Sequence, residues 1–145
     1  MSDHGPVFHQ VNLVVSDMEA SVAFYRRLGL RVPDGPPEWR DHHRAIEFPN
    51  GQLLELDSVA FVRQWNGGFT VTPGAAMGVL GFNVASRDAV DAIHADLVAA
   101  GHASQQAPYD TFWGARYAVV ADPDGHAVGI MSPIDPQRRS APTPP

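Results

Sequence analysis

The feature that most constrains this chain is an internal repeat. The turn Phe48-Pro49-Asn50-Gly51 returns as Asp122-Pro123-Asp124-Gly125, 74 positions later. In the second copy proline fixes φ at the first turn position and glycine supplies the positive φ needed before the next strand; the first copy is a fainter version. Each turn runs into an apolar strand, Gln52-Leu53-Leu54-Glu55-Leu56 and His126-Ala127-Val128-Gly129-Ile130. The helical stripe Ala20, Phe24, Leu28 likewise returns as Ala89, Ile93, Leu97, 69 positions on. The small drift between the two spacings falls in helix ends and loops. Several independent local signals agree on a duplication.

Each copy reads as strand, helix, then three strands. In the first, Phe8 to Val15 is a strand, Ser16 or Asp17 caps a helix with Glu19 placed for a capping box, and Gly29 ends it. A short strand Leu30–Pro33, a Pro/Gly loop, a strand within Trp39–Phe48 and the strand Gln52–Asp57 follow. In the second, Val79 to Ala85 is a strand and Ser86 caps a helix that Gly101 closes. Strands Ala103–Ala107 and Ala115–Ala121, an aromatic loop Tyr109–Gly114 between them, and a strand ending at Met131 complete it. The predicted organisation is one α+β domain over residues 7–133, with tandem βαβββ units at 7–57 and 78–133 whose curved sheets form an open cleft. The connector 58–77 carries Phe61, Trp65 and Phe69 and is either a linker or a lid. The tail 134–145 is rich in proline, lacks periodicity and is expected to be poorly ordered.

Composition narrows the function. A net charge of −6 with no run of Lys or Arg argues against a nucleic-acid or anionic-membrane partner. Without cysteine there is no disulfide, thiolate chemistry or Cys-based zinc site. The polar start lacks a signal-peptide pattern and no apolar run approaches membrane-spanning length, so a cytoplasmic protein is expected.

Strand alternation gives each sheet a helix-facing side and an inner side. Val11, Leu13, Val15, Leu54 and Leu56 face the helix in the first unit; Leu80, Phe82, Val84, Val128 and Ile130 do so in the second. The inner side then carries Gln10, Asn12, Val14, Leu53, Glu55 and Asp57, with Val79, Gly81, Asn83, Ala127, Gly129 and Met131.

The run from Gln10 through Asp17 to Tyr25, the following Leu28-Gly29-Leu30, and Trp113-Gly114, Arg116 and Asp122-Pro-Asp-Gly125 resemble the vicinal oxygen chelate superfamily. That superfamily includes glyoxalase I, extradiol dioxygenases and bleomycin- and fosfomycin-resistance proteins. The resemblance covers residues 7 to 133 and implies the glyoxalase-like fold, with a homodimer expected. In metal-dependent members, four cleft positions hold the ligands. Here they fall on Gln10, Glu55, Val79 and Gly129. The last two cannot bind a metal, so no metal and no cofactor are expected.

The favoured expectation is metal-independent binding of a small apolar or aromatic molecule. Its candidate contacts are Gln10, Asn12, Glu55, Val79, Asn83, Gly129 and Met131 on the strands. Trp65, Phe69, Tyr109, Phe112 and Trp113 add aromatic surface, unless some seal the cleft or a dimer interface. Arg116 either fixes an anionic group or pairs with Asp110 or a turn carboxylate. Glu55 is the candidate catalytic acid or base; alternatively it accepts a hydrogen bond from Gln10 or Asn12 and shapes the pocket. His42 and His43 are adjacent, so only one of them can face the cleft as a general base. Two enzymatic alternatives stand beside binding. One is a metal-free isomerase or lyase using Glu55 or a cleft histidine; the other is a metal-dependent glyoxalase-type lyase using Gln10 and Glu55. A structural or regulatory dimer with a vestigial pocket is a further alternative.

Overall fold

The computed structural model of the chain describes residues 5–71 and 78–143, so residues 72–77 of the connector lie outside the described residues. The chain divides into two compact units, Met1–Thr72 and Pro73–Pro145. Both are mixed α and β, as the repeat predicts.

The first unit contains β1 (Gln10–Val15), α1 (Met18–Leu28), β2 (His43–Glu47), β3 (Leu53–Ser58) and α2 (Val59–Trp65). Asp17, not Ser16, caps α1, its Oδ1 accepting from the Ala20 amide at 3.1 Å. Gly29, at φ 114°, closes the helix. Arg26 and Arg27 lie in the last turn, where the helix dipole favours cations. The buried face of α1 is broader than a four-residue stripe: Val22, Phe24, Tyr25 and Leu28 are all in the core. Each such side chain contributes about 1.5–3 kcal/mol of burial. Sheet order is β1-β3-β2, with β1 parallel and β2 antiparallel to β3.

Leu30–Pro33 is not a strand. Arg26 Nη2 donates to the Val32 carbonyl at 2.6 Å and Arg44 Nη1 to that of Pro33 at 2.9 Å. Side chains thus take the acceptors a ladder would use, and the prolines beyond remove donors. The expected Trp39–Phe48 strand is also shorter, because Pro37–Trp39 forms a 3-10 turn. Helix α2 lies in the stretch read as a connector. Ser58 Oγ caps it from the Phe61 amide at 3.1 Å, and Val62 anchors it in the core.

The second unit contains β4 (Val79–Asn83), α3 (Arg87–Ala99), β5 (Ser104–Asp110), β6 (Arg116–Ala121) and β7 (Ala127–Met131). Its sheet order is β4-β7-β6-β5, and α3 packs on β5, β6 and β7. Ser86 Oγ caps α3 from the Ala89 amide, as expected, and Val90 and Leu97 are its fully buried residues. The two repeated turns have matching geometry. The Gly51 and Gly125 amides donate to the carbonyls of Phe48 and Asp122, each at 2.9 Å, with φ 84° and 86°.

Where a poorly ordered tail was expected, residues 136–138 form a 3-10 turn. The Asp135 amide donates to the Gly114 carbonyl and the Ser140 amide to that of Phe112, each at 2.9 Å. A Cβ on Gly114 would collide with the Asp135 backbone, so this contact requires glycine. No helix among the described residues is long and apolar enough to cross a membrane.

Candidate functional site

Register brings the polar residues of the first sheet together. In the parallel pair Asn12 lies beside Glu55 and Val14 beside Asp57; across the hairpin His43 lies opposite Asp57. Opposed residues share a face, so Gln10, Asn12, His43, Glu55 and Asp57 all project from the same side.

They form one network. Asn12 Nδ2 donates to Glu55 Oε2 at 2.7 Å and to Asp57 Oδ2 at 2.9 Å. Gln10 Nε2 donates to Asn12 Oδ1 at 2.8 Å and reaches Glu55 Oε2 at 3.4 Å. His43 Nδ1 meets Asp57 Oδ1 at 2.6 Å. Asp57 is fully buried, and a buried carboxylate is tolerated only when paired and hydrogen-bonded, as it is here. An ionised carboxylate only accepts, so His43 Nδ1 is the donor in this contact when Asp57 is ionised. Glu55 accepts from both Gln10 and Asn12, the hydrogen bonds raised as one alternative from sequence. Of the two adjacent histidines, His43 is the one on this face. His42 precedes β2 and pairs through Nδ1 with Ser58 Oγ at 2.9 Å.

Beside this network lies a pocket of about 470 Å³ lined by Pro33, Gly35, Pro36, Trp39, His43, Arg44, Ala45 and Phe61. Its walls are almost wholly apolar. It sits along β2, which among the described residues is an edge strand of the first sheet. Phe61 stacks edge-on against Trp39 at 5.1 Å and against His43 at 5.4 Å. Arg44 is buried and braces the rim, donating to the carbonyls of Arg40 and Pro33 at 2.8 and 2.9 Å.

The inner face of the second sheet is aromatic. Tyr117 lies opposite Met131 and diagonal to Gly129. A Cβ on Gly129 would stand 2.6 Å from the Tyr117 hydroxyl, so the ring covers the position that Glu55 holds in the first unit. Burial, and to a lesser degree the neighbouring Tyr109, pushes the Tyr117 phenol above its ordinary range. Trp113 packs edge-on to Tyr117 and to Phe112, and its Nε1 donates to Met131 Sδ at 3.4 Å. Tyr109 is on β5 rather than in the loop, 6.4 Å from Tyr117.

The remaining candidates are less concentrated. Val79 is 55% exposed on an edge strand, and Asn83 is exposed beside Met131. Trp65 is 51% exposed at the end of α2, with Phe69 half-buried beyond it. Arg116 does not join the inner face. It alternates away from Tyr117 and pairs with Asp91 at 2.9 Å and Asp110 at 3.3 Å, which raise its pKa. Sequence reasoning did not pair His43 with Asp57, place Trp39 and Phe61 in one pocket, or notice Tyr117. The first was legible: counting outward from the 48–52 turn sets 43 opposite 57.

The model of the Glyoxalase/Bleomycin resistance protein/Dioxygenase superfamily matches residues 7–130. This chain belongs to that superfamily. A protein of Mycobacterium bovis is 32% identical over 130 residues, covering 85% of this chain and 81% of its own length. A glyoxalase-related enzyme from Fulvimarina pelagi superposes with a TM-score of 0.74 at 26% identity, covering 88% of each chain. A glyoxalase/bleomycin resistance protein/dioxygenase family enzyme from Burkholderia phytofirmans gives 0.71 at 24%, covering 85% of this chain and 95% of its own.

The superfamily's metal-dependent members raise the question of a metal. The second unit does not fit one: Val79 has no donor, and Gly129 lies under Tyr117. In the first unit, His43, Glu55 and Asp57 bring three donor atoms within 4.8 Å of one another, a group that sequence reasoning did not assemble. One nitrogen and two oxygens suit a divalent ion. The Asn12 amide, however, already donates to the same two carboxylates that a cation would require.

Proposed function

We propose that this superfamily member binds a small, largely apolar or aromatic molecule in the first-unit pocket, without a metal. The observation that carries the reading is the 470 Å³ apolar pocket with His43 as its titratable edge group beside Trp39 and Phe61. Such a combination of apolar walls and few polar groups is what small-molecule sites share. The candidate residues of the second unit, Tyr109, Phe112 and Trp113, are ascribed to packing around Tyr117 in this reading. A homodimer is part of the proposal and rests on the family resemblance; light scattering tests it.

Tryptophan fluorescence titrated with 1-naphthol and with 2-hydroxyacetophenone tests the pocket. Saturable quenching is expected for the wild type and loss of it in Ala45→Leu, which fills the pocket from β2. Equal quenching in both proteins, or none in either, overturns the reading.

A further inference from the structure

We propose that the ligand of the first-unit pocket is a short extended peptide. It adds to the open edge of β2 as an antiparallel strand, with an aromatic side chain in the pocket and a basic one beside Glu47. The inference rests on the pocket reading above and names the class of its ligand.

The ladder between β2 and β3 shows which backbone groups are already paired. The Ser58 amide donates to the His42 carbonyl and the Phe48 amide to that of Gln52, each at 2.9 Å. Bonded and non-bonded positions alternate along an antiparallel pair. Residues 42, 44, 46 and 48 therefore turn their amides and carbonyls towards β3, whereas His43, Ala45 and Glu47 turn theirs towards the open edge. Among the described residues, no group hydrogen-bonds to the backbone of Ala45 or Glu47. Such an edge is a template for a further strand.

The pocket lies along that edge. Ala45 and His43 line it from β2, together with Trp39, Phe61, Pro33 and Pro36. Ala45 is half-buried, so its unpaired amide and carbonyl stand beside apolar surface, where an unmade hydrogen bond is costly. A ligand without an amide leaves both groups unpaired. A residue opposite Ala45 on an antiparallel strand pairs both at once. Its side chain shares the face of Ala45 and so enters the pocket, whose 470 Å³ has room for an aromatic ring.

Charge sets the neighbouring position. Glu47 lies two residues along the same face, is exposed, and has no ion-pair partner among the described residues. The residue two places from the aromatic one on the added strand falls opposite Glu47, which favours Lys or Arg there over Asp or Glu. The side chain between them projects to the other face and is not selected by the pocket.

The test titrates the full chain with acetyl-Lys-Thr-Phe-Thr-Lys-amide by calorimetry in EDTA; this peptide offers a lysine two places away on either side of its ring. Saturable binding in competition with 1-naphthol is expected. Methylating the phenylalanine nitrogen keeps the ring but removes the donor to the Ala45 carbonyl, and affinity should fall about 10-fold or more. Glu47→Lys should weaken the lysine peptide about 2- to 5-fold and bind its glutamate counterpart more tightly than the wild type does. The Ala45 and Glu47 amides should exchange rapidly with D2O in the free protein and slowly with peptide bound. Saturable quenching by 1-naphthol without peptide binding, or equal affinity for the methylated peptide, overturns the added strand and leaves the pocket reading intact. Slow exchange of both amides without peptide assigns the edge to a second copy or another segment of this chain, and overturns the added strand as well. Absence of quenching by both 1-naphthol and 2-hydroxyacetophenone overturns the pocket reading, and the peptide with it.

Discussion

His43 faces Asp57 across the β2–β3 hairpin at 2.6 Å, and 74 positions later Tyr117 faces Met131 across β6–β7. The duplicated scaffold holds the same two places in each unit and fills them with opposite chemistry. One pair is a hydrogen-bonded acid and imidazole; the other is a phenol and a thioether in an aromatic cluster. The Glu55 and Gly129 positions follow suit, one carrying a carboxylate tied to Asn12 and the other lying beneath a ring.

Gly129 and Tyr117 should be energetically coupled. Gly129→Ala puts a methyl 2.6 Å from the Tyr117 hydroxyl and 3.1 Å from its ring carbons, so the ring must move. A loss of about 1–3 kcal/mol in urea unfolding is expected. In a Tyr117→Ala background the same change should cost almost nothing. A double-mutant cycle that is additive within about 0.3 kcal/mol would refute the coupling.

Asn12→Asp should convert the first-unit network into a divalent-cation site. The substitution replaces an amide that donates to Glu55 and Asp57 by a third carboxylate. Three acids then face one another beside His43, an arrangement that either a cation among them or uptake of a proton stabilises. The variant should melt below the wild type in EDTA and gain stability with added Zn2+ or Mn2+, with a smaller response in the wild type. Equal metal responses of the two proteins in calorimetry would rule the idea out.

Arg44 should control the pocket rim. Its guanidinium satisfies the carbonyls of Arg40 and Pro33 from a buried position. Arg44→Met keeps the apolar stem but strands both acceptors, costing about 1–3 kcal/mol in thermal or urea unfolding. It should also weaken probe quenching more than it alters far-UV circular dichroism. Retention of full stability would mean that water replaces both bonds.

The second hairpin should lend stability that depends on pH. His126 titrates above its ordinary 6.5 because Asp122 hydrogen-bonds its ring, an effect larger than the opposing burial. A folded-state value above the unfolded one means the contribution is complete below about 6.5 and disappears as pH rises through the raised value. The stability gap between wild type and His126→Gln should therefore narrow when pH is taken from about 6 to 9. A gap constant over that range would exclude the charged pair as its source.

Much of the candidate site could be read because hairpins are local. The Pro49-Asn50-Gly51 turn sets the register, and period-two alternation then places His43, Glu55 and Asp57 on one face. The helix caps at Ser86 and Asp17, the glycine stops and the two turns depend on short-range sterics and hydrogen bonds, so the repeat announced them. The α2 helix was less visible, since its seven residues carry a weak period and are followed by the Gly67-Gly68 signal.

By itself, then, the sequence determined the duplicated α+β scaffold, its two turns, its helix caps and the sidedness of each strand. Tertiary structure decided what those positions are worth. Arg26 and Arg44, distant from each other in sequence, take the carbonyls of Val32 and Pro33; no strand forms there, and a pocket opens beside β2. Asn12 reaches Glu55 and Asp57 only because β1 pairs with β3 in parallel, a nonlocal register that no turn specifies. Tyr117 covers Gly129 through a diagonal contact that depends on ring orientation. Alternation says which way a side chain projects, whereas its partner depends on what other segments bring within a few ångströms.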